Sequence, residues 1–172
     1  MKIKFGTDGW RAIIAQEYTV DNVARVTVGA AQWLNYNFKN PSVVIGHDCR
    51  FAGSLFAETA AKVFNHFDIK VILADSFITT PMLSLAVLEL KADLGVVITA
   101  SHNPPEYNGY KLKGNFGGPL LPDDIQAVED TIPDAHGLDL KFLTMEGVQT
   151  ADLAKLYLDK VRASFDIDAI NN

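Results

Sequence analysis

Residues 93–114 read DLGVVITASHNPPEYNGYKLKG, and the fold turns on how this stretch divides. From Leu94 to Thr99 the chain is apolar without alternation, the pattern of a strand covered on both faces. It stops in Ala100-Ser101-His102-Asn103-Pro104-Pro105, where small, polar and proline residues end any regular element. A second strand-like run, Asn108–Lys113, follows after a link of about ten residues with no helical pattern, short of the dozen or more that a parallel crossover needs. This second run should therefore return antiparallel.

Outward from that pair, strands alternate with amphipathic helices. KIKF at 2–5 reads as a short opening strand. Thr19 is a candidate N-cap for a helix carrying Val20, Val23, Ala24, Thr27, Ala31 and Leu34 at helical spacing. SVVIGHD at 42–48 and KVILAD at 70–75 are apolar strands. Between them Phe56, Thr59, Ala60, Val63, Phe64 and Phe67 line one helix face. Thr80-Pro81 reads as an N-cap followed by a proline at the first helical position, opening the helix MLSLAVLEL. Downstream, Pro122 starts a helix with Ile125 and Val128 that ends before Pro133. Periodicity is weak over 133–150, and a last amphipathic helix carries Leu153, Leu156, Tyr157, Val161 and Phe165. The expected fold is α/β: a three-layer α/β/α sandwich on a mixed, mainly parallel four-stranded sheet whose last strand is antiparallel.

Composition narrows the function classes. A chain of 172 residues has room for one well-packed domain. Its net charge of −6 argues against non-specific binding to nucleic acid or anionic membranes, though not against a small anion held by a local cationic cluster. No apolar run reaches membrane-spanning length and MKIKFGTDGW has no signal-peptide core, so a cytoplasmic location is expected. The single cysteine, Cys49, cannot form an internal disulfide.

In such a sheet ligands collect beyond the carboxyl ends of the parallel strands. GHDCR at 46–50, DSFITTP at 75–81 and TASHNPPEYNG at 99–109 all belong there. FGTDGWRA at 5–12 is a fourth candidate, because Gly6 and Gly9 free the backbone beside Thr7, Asp8 and Arg11. Ser101 follows small residues that leave its hydroxyl uncrowded. His102 is a poor general base for it, since adjacent side chains on an extended backbone diverge. The strand–Gly-x-Ser-x-Gly–helix context of an esterase is missing as well. A serine that carries a phosphoryl group fits better, with Arg11, Lys111 and Lys113 as sources of positive charge.

Plainer readings stay open from the residues alone. Ser101 can be a turn serine beside Asn-Pro punctuation, and Asn108-Gly109 a hairpin turn with two solvent-facing lysines beyond it. His47 and Arg50 can cap neighbouring helices. His66 and His136 have no metal-ligand spacing, and the acidic residues form no cluster resembling a complete metal site.

Taken together and in order, FGTDGWRA, VIGHDCR and TASHNPPEYNGYKLK closely resemble the α-D-phosphohexomutase superfamily, over essentially the whole chain as its N-terminal domain. The GWRA form is more similar to phosphoglucomutase/phosphomannomutase members than to phosphoglucosamine mutases, which tend to show Ile-Arg-Gly there. The resemblance implies that Ser101 is the phosphoserine that exchanges its phosphoryl group with a hexose phosphate through a hexose bisphosphate, and is also a ligand of Mg²⁺. It implies that Lys111 is the general acid/base, that Arg11 stands beside the phosphoserine, and that His102 helps to position it. A lysine in that role needs burial or cationic neighbours to release its proton near neutrality.

It also implies what is missing. No Asp-Gly-Asp-Gly-Asp-Arg metal loop, no sugar-selecting Gly-Glu-x-Ser-Gly-His loop and no C-terminal phosphate loop occurs here. Residues 1–149 are thus expected to form domain I, and 150–172, ending DIDAINN, to be a connecting helix toward further mutase domains. Turnover by this domain alone should be negligible, because positioning supplies much of such catalysis. The choice between glucose and mannose rests on the missing loops. The competing expectation is a stand-alone phosphate- or partner-binding domain whose last helix folds back onto the domain.

Overall fold

The computed structural model describes residues 2–6, 9–166 and 169–170. Thr7 and Asp8 of the first motif, and most of the terminal DIDAINN, lie outside the described residues. In chain order the elements are β1 (Trp10–Ile13), α1 (Val20–Asn37), β2 (Ser42–His47), α2 (Gly53–His66), β3 (Lys70–Ala74), α3 (Thr80–Glu89), β4 (Leu94–Ile98), β5 (Tyr107–Gly114), α4 (Pro122–Thr131), β6 (Gln149–Ala151) and α5 (Leu153–Ser164).

These build the expected three layers, but the described sheet has six strands rather than four, in the order β1-β5-β4-β2-β3-β6. β2, β3 and β4 are parallel, and β5 runs antiparallel to β4 with Val97 opposite Lys111. The two strands absent from the expectation are the edges. β1 pairs antiparallel with β5, and β6 pairs parallel with β3. KIKF makes no strand: Ile3 is buried in the core, but the segment enters no ladder. Its alternation reports which side chains face inward, and that condition is also met without sheet pairing. β6 has only three residues, two of them exposed, so it carries no periodic signal.

The central strands are apolar on both sides because both sides are covered. Val43, Ile45, Leu94, Val96 and Ile98 point into a large core with α1, α2 and α4. Val44 and Val97 point the other way, toward Leu83, Ala86 and Val87 of α3 and Leu153 of α5. Thr19 caps α1 as expected, accepting the Asn22 N–H at 3.2 Å. The cap of α3 lies one residue earlier than expected, at Thr79, so Thr80 is the first helical residue and Pro81 the second. α5 lies against α3, with Lys160 Nζ 2.9 Å from Glu89 Oε1. Among the described residues no helix is long and apolar enough to cross a membrane.

Candidate active site

The site begins where β4 ends. Thr99 N–H donates to the Gly109 carbonyl at 2.9 Å, the last tie between β4 and β5 before the chain turns outward. Ser101 and His102 are exposed at the turn, and Ser101 adopts φ of 57°, a left-handed conformation costly for a residue with a Cβ. That turn changes the relation of the two side chains. Ser101 Oγ and His102 Nδ1 are 3.4 Å apart, a contact that an extended backbone would not allow. At that length, in the open, it is a weak interaction and no activated nucleophile.

The neighbouring loop has a role that its residue types do not announce. Arg50 caps no helix; α2 starts without a side-chain cap. Its guanidinium instead reaches across to the serine loop and donates to four backbone carbonyls. Nη2 meets Ser101 O at 2.9 Å and Asn103 O at 2.6 Å, and Nη1 meets Pro104 O at 2.8 Å and Tyr107 O at 3.0 Å. Asp48 backs it, with Oδ2 3.6 Å from Arg50 Nε, and accepts the Thr99 hydroxyl at 2.5 Å. His47 is likewise no cap: its Nδ1 lies 2.8 Å from Asp48 O, and its ring meets Phe77 edge-on. A cleft of about 510 Å³ opens between Asp48–Phe51 on one side and Ser101, Asn103 and Pro105 on the other. Cys49 stands exposed beside it.

The first motif arrives from the opposite flank. β1 places Arg11 opposite Gly109, and Arg11 Nη1 donates to Asn103 Oδ1 at 3.1 Å. Asn108-Gly109 is therefore no hairpin turn but the interior of β5. Glycine is required at 109, since a Cβ there would lie 2.5 Å from Thr99 O and 3.0 Å from Arg11 Cγ. Gly9, at φ of 103°, comes close enough that a Cβ would meet Tyr110 O at 2.6 Å and Lys111 Cγ at 2.9 Å.

Lys111 and Lys113 share the Arg11 and Gly109 face of β5, but neither faces solvent; they are 4% and 5% exposed. Lys111 lies one same-face step below Thr99, roughly 6.5 Å along the strand, covered by the Gly9 segment. Lys113 lies a further step down, opposite Gly95 and near Leu83 and Val87 of α3. The structure thus gathers Ser101, His102 and Arg11 around one loop and sets Lys111 beneath it, while Lys113 belongs to the α3 side. DSFITTP touches the assembly through Ile78 N–H, which donates to His47 O at 2.9 Å. Among the described residues no group of three or more His, Cys, Asp or Glu side chains comes together as a metal site.

Residues 2–137 match the profile of phosphoglucomutase/phosphomannomutase, alpha/beta/alpha domain I. The chain belongs to this family. A phosphoglucomutase from Staphylococcus epidermidis is 44% identical over 128 residues, which is 71% of this chain and 23% of that protein. One from Staphylococcus saprophyticus is 38% identical over 133 residues, covering 76% of this chain and 24% of that one. The chain thus spans about a quarter of the length of these curated mutases. A crystal structure assigned as a phosphomannomutase from Thermus thermophilus superposes with a TM-score of 0.90 at 34% identity, covering 98% of this chain and 37% of that one. So large a share of this chain includes α5.

Proposed function

We propose that this chain is domain I of a cytoplasmic phosphosugar mutase, in which Ser101 carries the phosphoryl group that moves between the 1- and 6-positions of a hexose. The observation that carries the reading is the exposed Ser101 hydroxyl at the lip of the cleft. Its backbone is left-handed, Arg50 donates to its carbonyl, and Arg11 reaches the same loop through Asn103.

In the forward step a sugar hydroxyl oxygen attacks phosphorus, the Ser101 Oγ–P bond breaks, and the hydroxyl proton passes to the Lys111 amine. The bisphosphorylated sugar reorients. Ser101 Oγ then attacks the other phosphoryl group, the sugar oxygen leaves, and Lys111 returns the proton. Phosphoryl transfer needs in-line positioning and charge neutralisation more than covalent chemistry from the protein. Arg11 supplies fixed positive charge, and His102, in contact with Oγ, restricts where the serine points.

Mg²⁺ is the cofactor this reading implies. The exposed Ser101 oxygen fits as one hard-oxygen ligand, and the described residues offer no cluster to complete the shell, so the other protein ligands would come from another domain. When bound, the ion would neutralise the oxygens of the transferring group. In the same reading residues 1–149 form domain I with the phosphoserine loop, and 150–172 lead toward the rest of the mutase.

The alternative, a stand-alone phosphate- or partner-binding domain, expects α5 to fold back as it does. The longer Thermus chain superposes over 98% of this one, α5 included, so that observation is neutral between the two. The test is interconversion of hexose 1- and 6-phosphates by the protein expressed from its natural reading frame, with and without Ser101→Ala. Turnover that disappears in the variant supports the mutase reading. Turnover unchanged by Ser101→Ala overturns it, and a frame that stops at Asn172 with no turnover favours the binding domain.

A further inference from the structure

We propose that Asp48, Thr99 and Arg50 form a closed ring that locks the Ser101 backbone in its left-handed conformation and so sets where Oγ, and any phosphoryl group on it, can stand. All three act through Ser101 as positioning residues. The functional consequence rests on the reading of Ser101 as the phosphoryl carrier; the ring itself does not.

The ring can be followed bond by bond. Ser101 N–H donates to Thr99 Oγ1 at 3.0 Å. The same hydroxyl donates to Asp48 Oδ2 at 2.5 Å, a charge-assisted bond. That carboxylate oxygen is 3.6 Å from Arg50 Nε. Arg50 Nη2 then donates back to Ser101 O at 2.9 Å. Both peptide groups that flank the Ser101 Cα are thereby held, one through a hydroxyl relay and one directly.

Each residue type is needed for its own reason. A hydroxyl donates and accepts at once, so Thr99 can join a carboxylate to an N–H, which an apolar isostere cannot do. Only a planar guanidinium offers a rigid fork to several carbonyls while turning a third nitrogen to the carboxylate. Asp48 is itself anchored, its N–H donating to Ile98 O at 3.1 Å and its Oδ1 accepting Arg50 N–H at 3.0 Å. The ring is thus built on the carboxyl end of β4, which is buried throughout.

The test compares Thr99→Val and Arg50→Lys with the conservative Thr99→Ser, in two measurements. The first is amide hydrogen exchange by NMR on the 172-residue chain. Ser101 N–H should exchange about tenfold faster or more in Thr99→Val and Arg50→Lys, the loss of one hydrogen bond or more, and at the wild-type rate in Thr99→Ser. Unchanged exchange at Val97 in all three shows that the sheet is intact. The second, on the protein expressed from its natural reading frame and with Mg²⁺ present, is phosphorylation of Ser101 by a hexose 1,6-bisphosphate, followed by peptide mass. It should slow roughly a hundredfold in the first two variants and be restored in Thr99→Ser, since misplacing a reacting group by about an ångström has that effect.

Unchanged Ser101 exchange in Thr99→Val and Arg50→Lys, or loading of both at the wild-type rate, overturns the proposal. If the wild type itself never loads Ser101, the phosphoryl-carrier reading fails alone. The exchange measurement then still decides the ring, faster exchange supporting it and unchanged exchange removing it.

Discussion

The loop 101–107 and the strand that follows it are held by opposite means. From Ser101 to Tyr107 no residue is fully buried, and one guanidinium grips four of its carbonyls. From Asn108 to Gly114 every residue is buried, paired on one side with β4 and on the other, at its start, with β1. Burial makes the strand costly to alter in stability. The loop contributes little apolar area, so altering it should change reactivity more than folding. A polar loop that must hold one geometry in water needs charge-assisted ties, and those depend on single residues.

The largest expected effect crosses the boundary between the two. Lys111 is buried in β5 yet proposed to act on the loop's chemistry, so truncation to alanine would mix a cavity with a lost amine. Lys111→Met keeps most of the stem. It should lower mutase turnover by roughly 10²–10⁴-fold, the usual worth of a general acid/base, with the melting temperature nearly unchanged. Turnover within a few-fold of wild type would remove Lys111 from the mechanism.

Leu112 is its neighbour on the opposite face, in the larger core. Leu112→Ala should cost about 2–5 kcal/mol in denaturant unfolding, as buried leucine truncations do. Turnover per folded molecule should stay near wild type. A large loss of activity in the folded fraction would mean that the loop and the strand are not separable.

Smaller still is Tyr110→Phe. It removes the buried contact between the Tyr110 hydroxyl and Thr27 Oγ1 at 3.1 Å and leaves Thr27 bonded to Val23 O at 2.8 Å. A loss of about 0.5–1.5 kcal/mol is expected. The gentlest probe is alkaline pH. Tyr110 and Tyr18 are fully buried, and burial, the largest cause, pushes both phenols above their ordinary 10.0. A raised folded-state pKa leaves stability intact below 10.0 and erodes it as pH rises above that value, because the unfolded chain then loses protons first. Denaturant midpoints should therefore be unaffected by these tyrosines at neutrality and fall above pH 10.0. Tyr110→Phe should weaken that fall.

The same contrast explains what could be read in the residues. Val43–Ile45 and Leu94–Ile98 announce themselves because strands buried on two faces must be apolar throughout, and Thr19 because a cap needs an oxygen at one position. GHDCR and TASHNPP were legible as loops beyond the carboxyl ends of buried strands, and the cleft lies between them. Arg50 was missed because its partners are carbonyls, which every residue carries whatever its side chain. The available signal was Asp48-x-Arg50 directly after a buried strand, too short to separate from a solvated loop. Of the two readings open for Lys111 and Lys113, the solvent-facing one fails, because the Gly9 segment lies against Lys111 and Lys113 sits near α3. Asn108-Gly109 looked like a turn, although its glycine answers to the close approach of β1 and β4.

The central claim, that Ser101 carries the phosphoryl group, is tested most directly by peptide mass mapping of the protein expressed from its natural reading frame, after exposure to a hexose 1,6-bisphosphate and Mg²⁺. The prediction is one added phosphoryl group, on the peptide containing Ser101, removed by later incubation with hexose monophosphate and absent in Ser101→Ala. A phosphoryl group on another residue, with Ser101 always bare, would contradict it.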